Sequence, residues 1–153
     1  MDFETLPDEI KALVTIQRHI AIVQKYLTRL SNRLAERAIE HDLSKLSKDE
    51  FAGFVELNQA RGKAEYGSPE YLALVQNNKT VDLHISRNSH HPGYHSDGIE
   101  GMSFLDLIEW VIDIKAGEVY GTSAIEVFEK KRDKLGLDDK MMWLISLIIE
   151  ELK

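Results

Sequence analysis

Cysteine is absent from the 153 residues, and that absence removes disulfides, thiolate nucleophiles, Cys-type zinc fingers and cysteine-held iron–sulfur clusters together. Any metal must be held by nitrogen and oxygen. Proline is scarce, at three residues, and three of the nine glycines fall between Pro92 and Gly101, so few positions break a helix. No apolar run approaches the roughly 20 residues of a membrane span; the longest, Met141 to Ile149, is interrupted by Ser146. The start, MDFETLPDEI, lacks the basic residues and apolar run of a signal peptide. A cytoplasmic protein with no membrane partner is expected. Positive charge is in deficit, 19 Lys and Arg against 26 Asp and Glu for a net charge of −7, which repels a phosphate backbone and argues against a long nucleic acid as partner.

What is present is a 43% apolar composition, enough to bury one core, so residues 1–153 are expected to form a single domain. The apolar period is helical throughout, and no β-branched alternation suggests a strand. The predicted class is all-α, six or seven helices in one bundle. After Pro7, Leu13, Ile16, Ile20, Val23, Leu27 and Leu30 recur at steps of three and four and mark helix one. A shorter segment from Leu34 to Leu43 comes next. Ser47 to Glu50 reads as a capping box opening a helix through Leu57 toward Arg61 and Gly62, and RGKAEYG reads as a loop. Ser68-Pro69 starts a helix that can run to Pro92, with a break possible at Asn77-Asn78. Ser103 to Asp106 and Ser123 to Glu126 read as further helix starts, and the last helix begins near Asp138, burying Trp143, Leu144, Leu147 and Ile148. The apolar density of that helix also offers a face for a homodimer.

Four of the six histidines, His84, His90, His91 and His95, occupy twelve consecutive positions. If the helix continues to Pro92, His84, Asn88 and His91 share one face, while His90 points about 100° away. Elsewhere, His19 lies beside the apolar stripe of helix one, where a satisfied core histidine is the simpler reading. His41-Asp42 forms an HD dipeptide. Asp106 and Asp113 are seven residues apart and nearly superpose on a helix, with Glu109 on the same side. The cap explains Asp106. Asp113, between Ile112 and Ile114, has no such explanation and needs a cation or a donor.

The order His, His-Asp, His and Asp on successive helices resembles the HD superfamily of metal-dependent phosphohydrolases. His41-Asp42-Leu43-Ser44-Lys45 resembles its HD-x-x-K form, and His90-His91-Pro92 its paired histidines. The chain is also similar to a family of small phage and bacterial HD-like proteins with the text HD-x-S-K, YGS-x-EY, H-x-x-x-N-x-HHP and M-S-x-x-D-L-I-E-x-x-x-D-x-x-A. Here these read His41 to Lys45, Tyr66 to Tyr71, His84 to Pro92 and Met102 to Ala116. Two positions depart from it: Gly93 stands where Glu is expected, and Ile114 where Trp is expected.

The resemblance implies one or two divalent transition ions, Mn, Co, Fe, Ni or Zn. His19, His41, Asp42 and Asp113 would hold the first ion, and His84 with His90 or His91 the second, with Asp106 in reserve for Asp113. A metal-activated water would attack a small phosphate ester such as a nucleotide; Lys45 would meet the phosphate, Asp42 would bridge ions, and Glu109 would carry a proton. Trp110, Tyr94 and Arg87 are candidates for stacking or phosphate contact, although a Trp at helical spacing is more often core. The alternatives are a di-iron oxygenase of HD type and a non-catalytic protein that binds a metal or a nucleotide.

Overall fold

The computed structural model describes residues 7–62, 64, 68–76 and 78–153. Among these, all regular structure is helical, as the apolar period requires. The chain divides into two compact units, Met1–His41 and Asp42–Lys153. The first unit carries α1 (Asp8–Glu40), 33 residues long, or roughly 50 Å at the usual rise. Pro7 precedes its first turn, Asp8 and Glu9 lie near the positive end of the helix dipole and Arg37 near the negative end. The expected break near Leu34 does not occur, because neither Gly nor Pro falls between Asp8 and Glu40. No residue of α1 is buried, so the apolar stripe read from the sequence is not a buried one.

The second unit contains α2 (Phe51–Arg61), α3 (Pro69–Gln76), α4 (Lys79–Arg87), α5 (Phe104–Ala116), α6 (Ala124–Leu135) and α7 (Asp139–Glu150). Most of the expected loop, including Tyr66 and Gly67, lies outside the described residues. The break between α3 and α4 is real: the Asn78 side chain accepts from the Thr80 amide at 2.8 Å and starts a new helix. That helix ends at Arg87, so His84 and His91 do not share a continuous helix face.

The core lies among α5, α6 and α7. Leu107, Trp110, Val111, Phe128, Met142, Ile145 and Ile149 are buried together there, and Trp110 meets Phe128 edge to face at 5.0 Å. Trp110 is therefore a core residue. Trp143 is not: it is 60% exposed, and Leu147 is exposed too. Helix α7 is apolar around most of its circumference, so the period alone does not choose among stripes; Met142, Ile145 and Ile149 face the core instead. The caps expected at Ser103 and Ser123 are made, and the helix start expected near Asp138 is capped by the Asp138 side chain.

Helix α5 has two unlike sides. Leu107, Trp110 and Val111 face the apolar core, while Asp106, Glu109 and Asp113, spaced three and four apart, form the stripe that adjoins it.

Candidate metal centre

The HD dipeptide lies just after α1. Asp42 is the only non-glycine residue with positive φ among the described residues, at φ 58° and ψ 13°, a left-handed conformation that Asp tolerates better than most side chains. It begins the short 3-10 turn Leu43–Leu46. Lys45, one turn on, donates to Asp42 Oδ2. The Lys45 side chain is 37% exposed and that of Asp42 16%, which places Lys45 on the solvent side of the carboxylate.

Helix α4 brings His84 to the same place, and the turn after it brings His90 and His91. One ligand atom from each of Asp42, His84, His90 and His91 lies within 4.8 Å of all the others. His84 Nε2 is 3.0 Å and His90 Nε2 3.5 Å from Asp42 Oδ1. These separations match the edge of a tetrahedron of nitrogen ligands around zinc, about 3.3 Å for metal–nitrogen bonds near 2.05 Å.

The far sides of two imidazoles are held by carboxylates. His84 Nδ1 stands 3.0 Å from Glu50 Oε2, and His90 Nδ1 3.1 Å from Glu109 Oε1. A ring that donates its Nδ1 proton to a carboxylate presents a lone pair at Nε2. Despite its 3.0 Å approach to Asp42, His84 Nε2 makes no hydrogen bond among the described residues, and neither does the buried His91 Nε2. An imidazole nitrogen and a carboxylate oxygen that come this close without a hydrogen bond are a donor pair that one shared cation would hold. The cluster can coordinate a metal ion, and its donor set suits one.

Burial pushes His91 down to about 3, helped by His90, His84 and Lys45 and opposed by Asp42. The ring is therefore neutral at neutral pH and free of a competing proton. His91 also stacks at a tilt on His90, with ring centroids 4.1 Å apart.

The other residues expected at the site have varied surroundings. Asp113 is half-buried on α5, with a carboxylate oxygen within 4.8 Å of Asp42's. Burial lowers the Lys131 ammonium on α6, which also feels Asp113 as a favourable charge. Asp106 closes the capping box of α5, accepting the Ser103 amide at 2.9 Å, and also accepts from Ser89 Oγ at 2.6 Å. It thereby braces the turn that carries His90 and His91. His95 Nε2 donates to the Ser89 carbonyl at 2.7 Å, bracing the same turn. His19 is exposed on α1, and His41 comes directly after that helix with its amide bonded to the Arg37 carbonyl. Tyr94 is 48% exposed, and Arg87 is engaged by Asp49 at 2.9 Å and Glu50 at 3.3 Å. At Gly93 an added Cβ would lie 2.8 Å from Ile85 Cγ2, which accounts for a small residue there.

Glu50 is the residue that sequence reasoning missed. The capping box assigned it to the start of α2, but that helix has no side-chain cap bond. Glu50 is fully buried and turned toward His84. Its spacing from Ser47 fits a cap so well that only the tertiary arrangement reveals the other partner.

The chain matches, over residues 8–151, a family described as of unknown function, DUF5662. No curated protein and no solved structure matches it.

Proposed function

The chain belongs to the DUF5662 family, and from the site itself we propose that it is a metal-dependent hydrolase of small phosphate esters, nucleotides among them, with chemistry of the HD type. The observation that carries the reading is the His84 Nε2 atom, buried without a hydrogen bond 3.0 Å from Asp42 Oδ1. Asp42, His84, His90 and His91 would hold the ion, with Asp113 beside Asp42. A bound divalent ion supplies an acidified water and neutralises charge on a phosphoryl oxygen.

The chain's own residues do the rest. Lys45, on the solvent side of Asp42, meets an arriving phosphate first and supplies a point charge to it. Glu109 fixes the His90 ring through one carboxylate oxygen and is the candidate to take up a proton. The net charge of −7 favours a small substrate over a polymer.

A second reading, metal binding without turnover, has its own support. Three histidines and one aspartate would fill a four-coordinate ion completely, as in structural zinc sites, whereas six-coordinate Mn, Fe, Co or Ni keeps two positions open. The test is phosphate release from a nucleotide panel and a chromogenic ester with Mn or Co. Hydrolysis by the wild type, abolished in Asp42→Ala with the helical spectrum intact, is expected. Full metallation without turnover across the panel would establish the second reading.

A further inference from the structure

The hydrogen bonds behind His84 run in one direction, from Asn88 through Ser44 to Glu50. Asn88 Nδ2 carries two protons and has two oxygen acceptors within reach, Ser44 Oγ at 2.8 Å and the His84 carbonyl at 2.7 Å. Both protons are thereby used. Ser44 Oγ accepts the first, and its own proton points to Glu50 Oε2 at 3.0 Å. His84 Nδ1 has three polar neighbours: Glu50 Oε2 at 3.0 Å, Ser44 Oγ at 3.1 Å and Asn88 Nδ2 at 3.1 Å. Asn88 has no proton left for Nδ1, the Ser44 proton is directed to Glu50, and a carboxylate only accepts. The remaining arrangement is an Nδ1–H that donates to Glu50.

We propose that Glu50 is a positioning residue: with Ser44 and Asn88 it locks His84 in the Nδ1–H tautomer, which leaves Nε2, 3.0 Å from Asp42 Oδ1, with a lone pair for a metal ion. This rests on the metal reading for its purpose, but the tautomer itself is a property of the protein alone. It also gives Ser44, within the HD-x-S-K text, a task separate from phosphate binding. Asn88 holds the Ser44 hydroxyl in place, and Ser44 helps to orient the carboxylate. Arg87 Nη1 reaches the other oxygen, Oε1, at 3.3 Å and is itself held by Asp49 at 2.9 Å. Every oxygen of the buried carboxylate thus has a donor, which is what keeps a buried charge tolerable.

The rival account is that Glu50 serves only as the buried partner of Arg87. The two accounts separate in Glu50→Gln and Arg87→Met. The tautomer of His84 is read from its two ring-nitrogen chemical shifts in metal-free protein, and the dissociation constant for Zn is measured separately. The proposal expects a protonated Nδ1 in wild type and in Arg87→Met. In Glu50→Gln, whose amide can donate to Nδ1 as well as accept, it expects a mixed or reversed tautomer. It also expects zinc affinity to fall about 10–100-fold, the usual effect of losing an outer-shell partner. Glu109→Gln, acting on His90, should lower affinity while leaving His84 as in wild type.

An Nε2–H tautomer in the wild type, or an unchanged tautomer and affinity in Glu50→Gln, would overturn the proposal. Failure of the wild type to bind any metal would overturn the metal reading instead. The ring-nitrogen shifts would still decide what Glu50 does.

Discussion

At the residue scale the site is organised around Asp42. Its left-handed backbone, φ 58°, opens the turn Leu43–Leu46, and its carboxylate Oδ1 lies 3.0 Å from His84 Nε2. Asn tolerates the same conformation, so Asp42→Asn should keep the fold while removing the charge. The expected result is an unchanged urea midpoint with excess chelator and a loss of metal affinity exceeding the roughly 10–100-fold typical of outer-shell changes. His91 supplies a second prediction. Its folded value of about 3 lies below that of an unfolded histidine, near 6.5, so between these values the unfolded chain binds the extra proton. Its contribution to stability is complete above about pH 6.5 and is lost as pH falls toward about 3. Urea midpoints of metal-free protein should therefore fall less steeply through this window in His91→Asn than in wild type; equal slopes would contradict the burial argument. Asp42, His84, His90 and His91 were legible only in combination, since each of these residue types alone reads equally well as a structural one. Glu50 was not, since its burial is set by contacts between α2, α4 and the turn at Ser44.

At the element scale the site depends on how closely α4 approaches α2. A Cβ built on Gly53 would fall 1.8 Å from Thr80 Oγ1 and 2.7 Å from Thr80 Cβ, so even one added methyl forces the two helices apart. Gly53→Ala should cost roughly 1–3 kcal/mol, the range for overpacking, and weaken metal binding because His84 rides on α4. Thr80→Gly in the same background should restore part of both; urea unfolding and a metal titration of the two variants check this. Helix starts were the most legible elements. Ser103, Ser123 and Asp138 each satisfy an exposed amide locally, and local bonding is what sequence spacing encodes. Ends and faces were less legible. The uninterrupted length of α1 shows in the sequence only as the absence of Gly and Pro from Asp8 to Glu40, and α7 offers apolar residues on several sides, so which of them is buried depends on α5 and α6.

At the scale of the molecule, a cysteine-free, acidic chain assembles a candidate metal centre from histidine and carboxylate alone. The core of α5, α6 and α7 is built from large apolar side chains and lies on one side of α5, while the polar cluster lies on the adjoining one. Ile145, fully buried, belongs to the first side only. Ile145→Ala should lower stability by about 2–5 kcal/mol in chemical denaturation without altering the stoichiometry of bound metal in the folded protein. No helix among the described residues is long and apolar enough to cross a membrane. The helical class came from the period alone, whereas the closure of the site did not, because His91 reaches it from a turn rather than from the helix face the spacing suggested, and His90, which that spacing pointed away, reaches it from the same turn.

The most direct test of the central claim is elemental analysis of the protein after equilibration with Mn or Zn and removal of free metal, with Asp42→Ala alongside. The account predicts at least about one ion per wild-type chain, in keeping with one four-ligand group, and none above background in the variant. Metal-free protein in both samples, or equal loading of both, would contradict it.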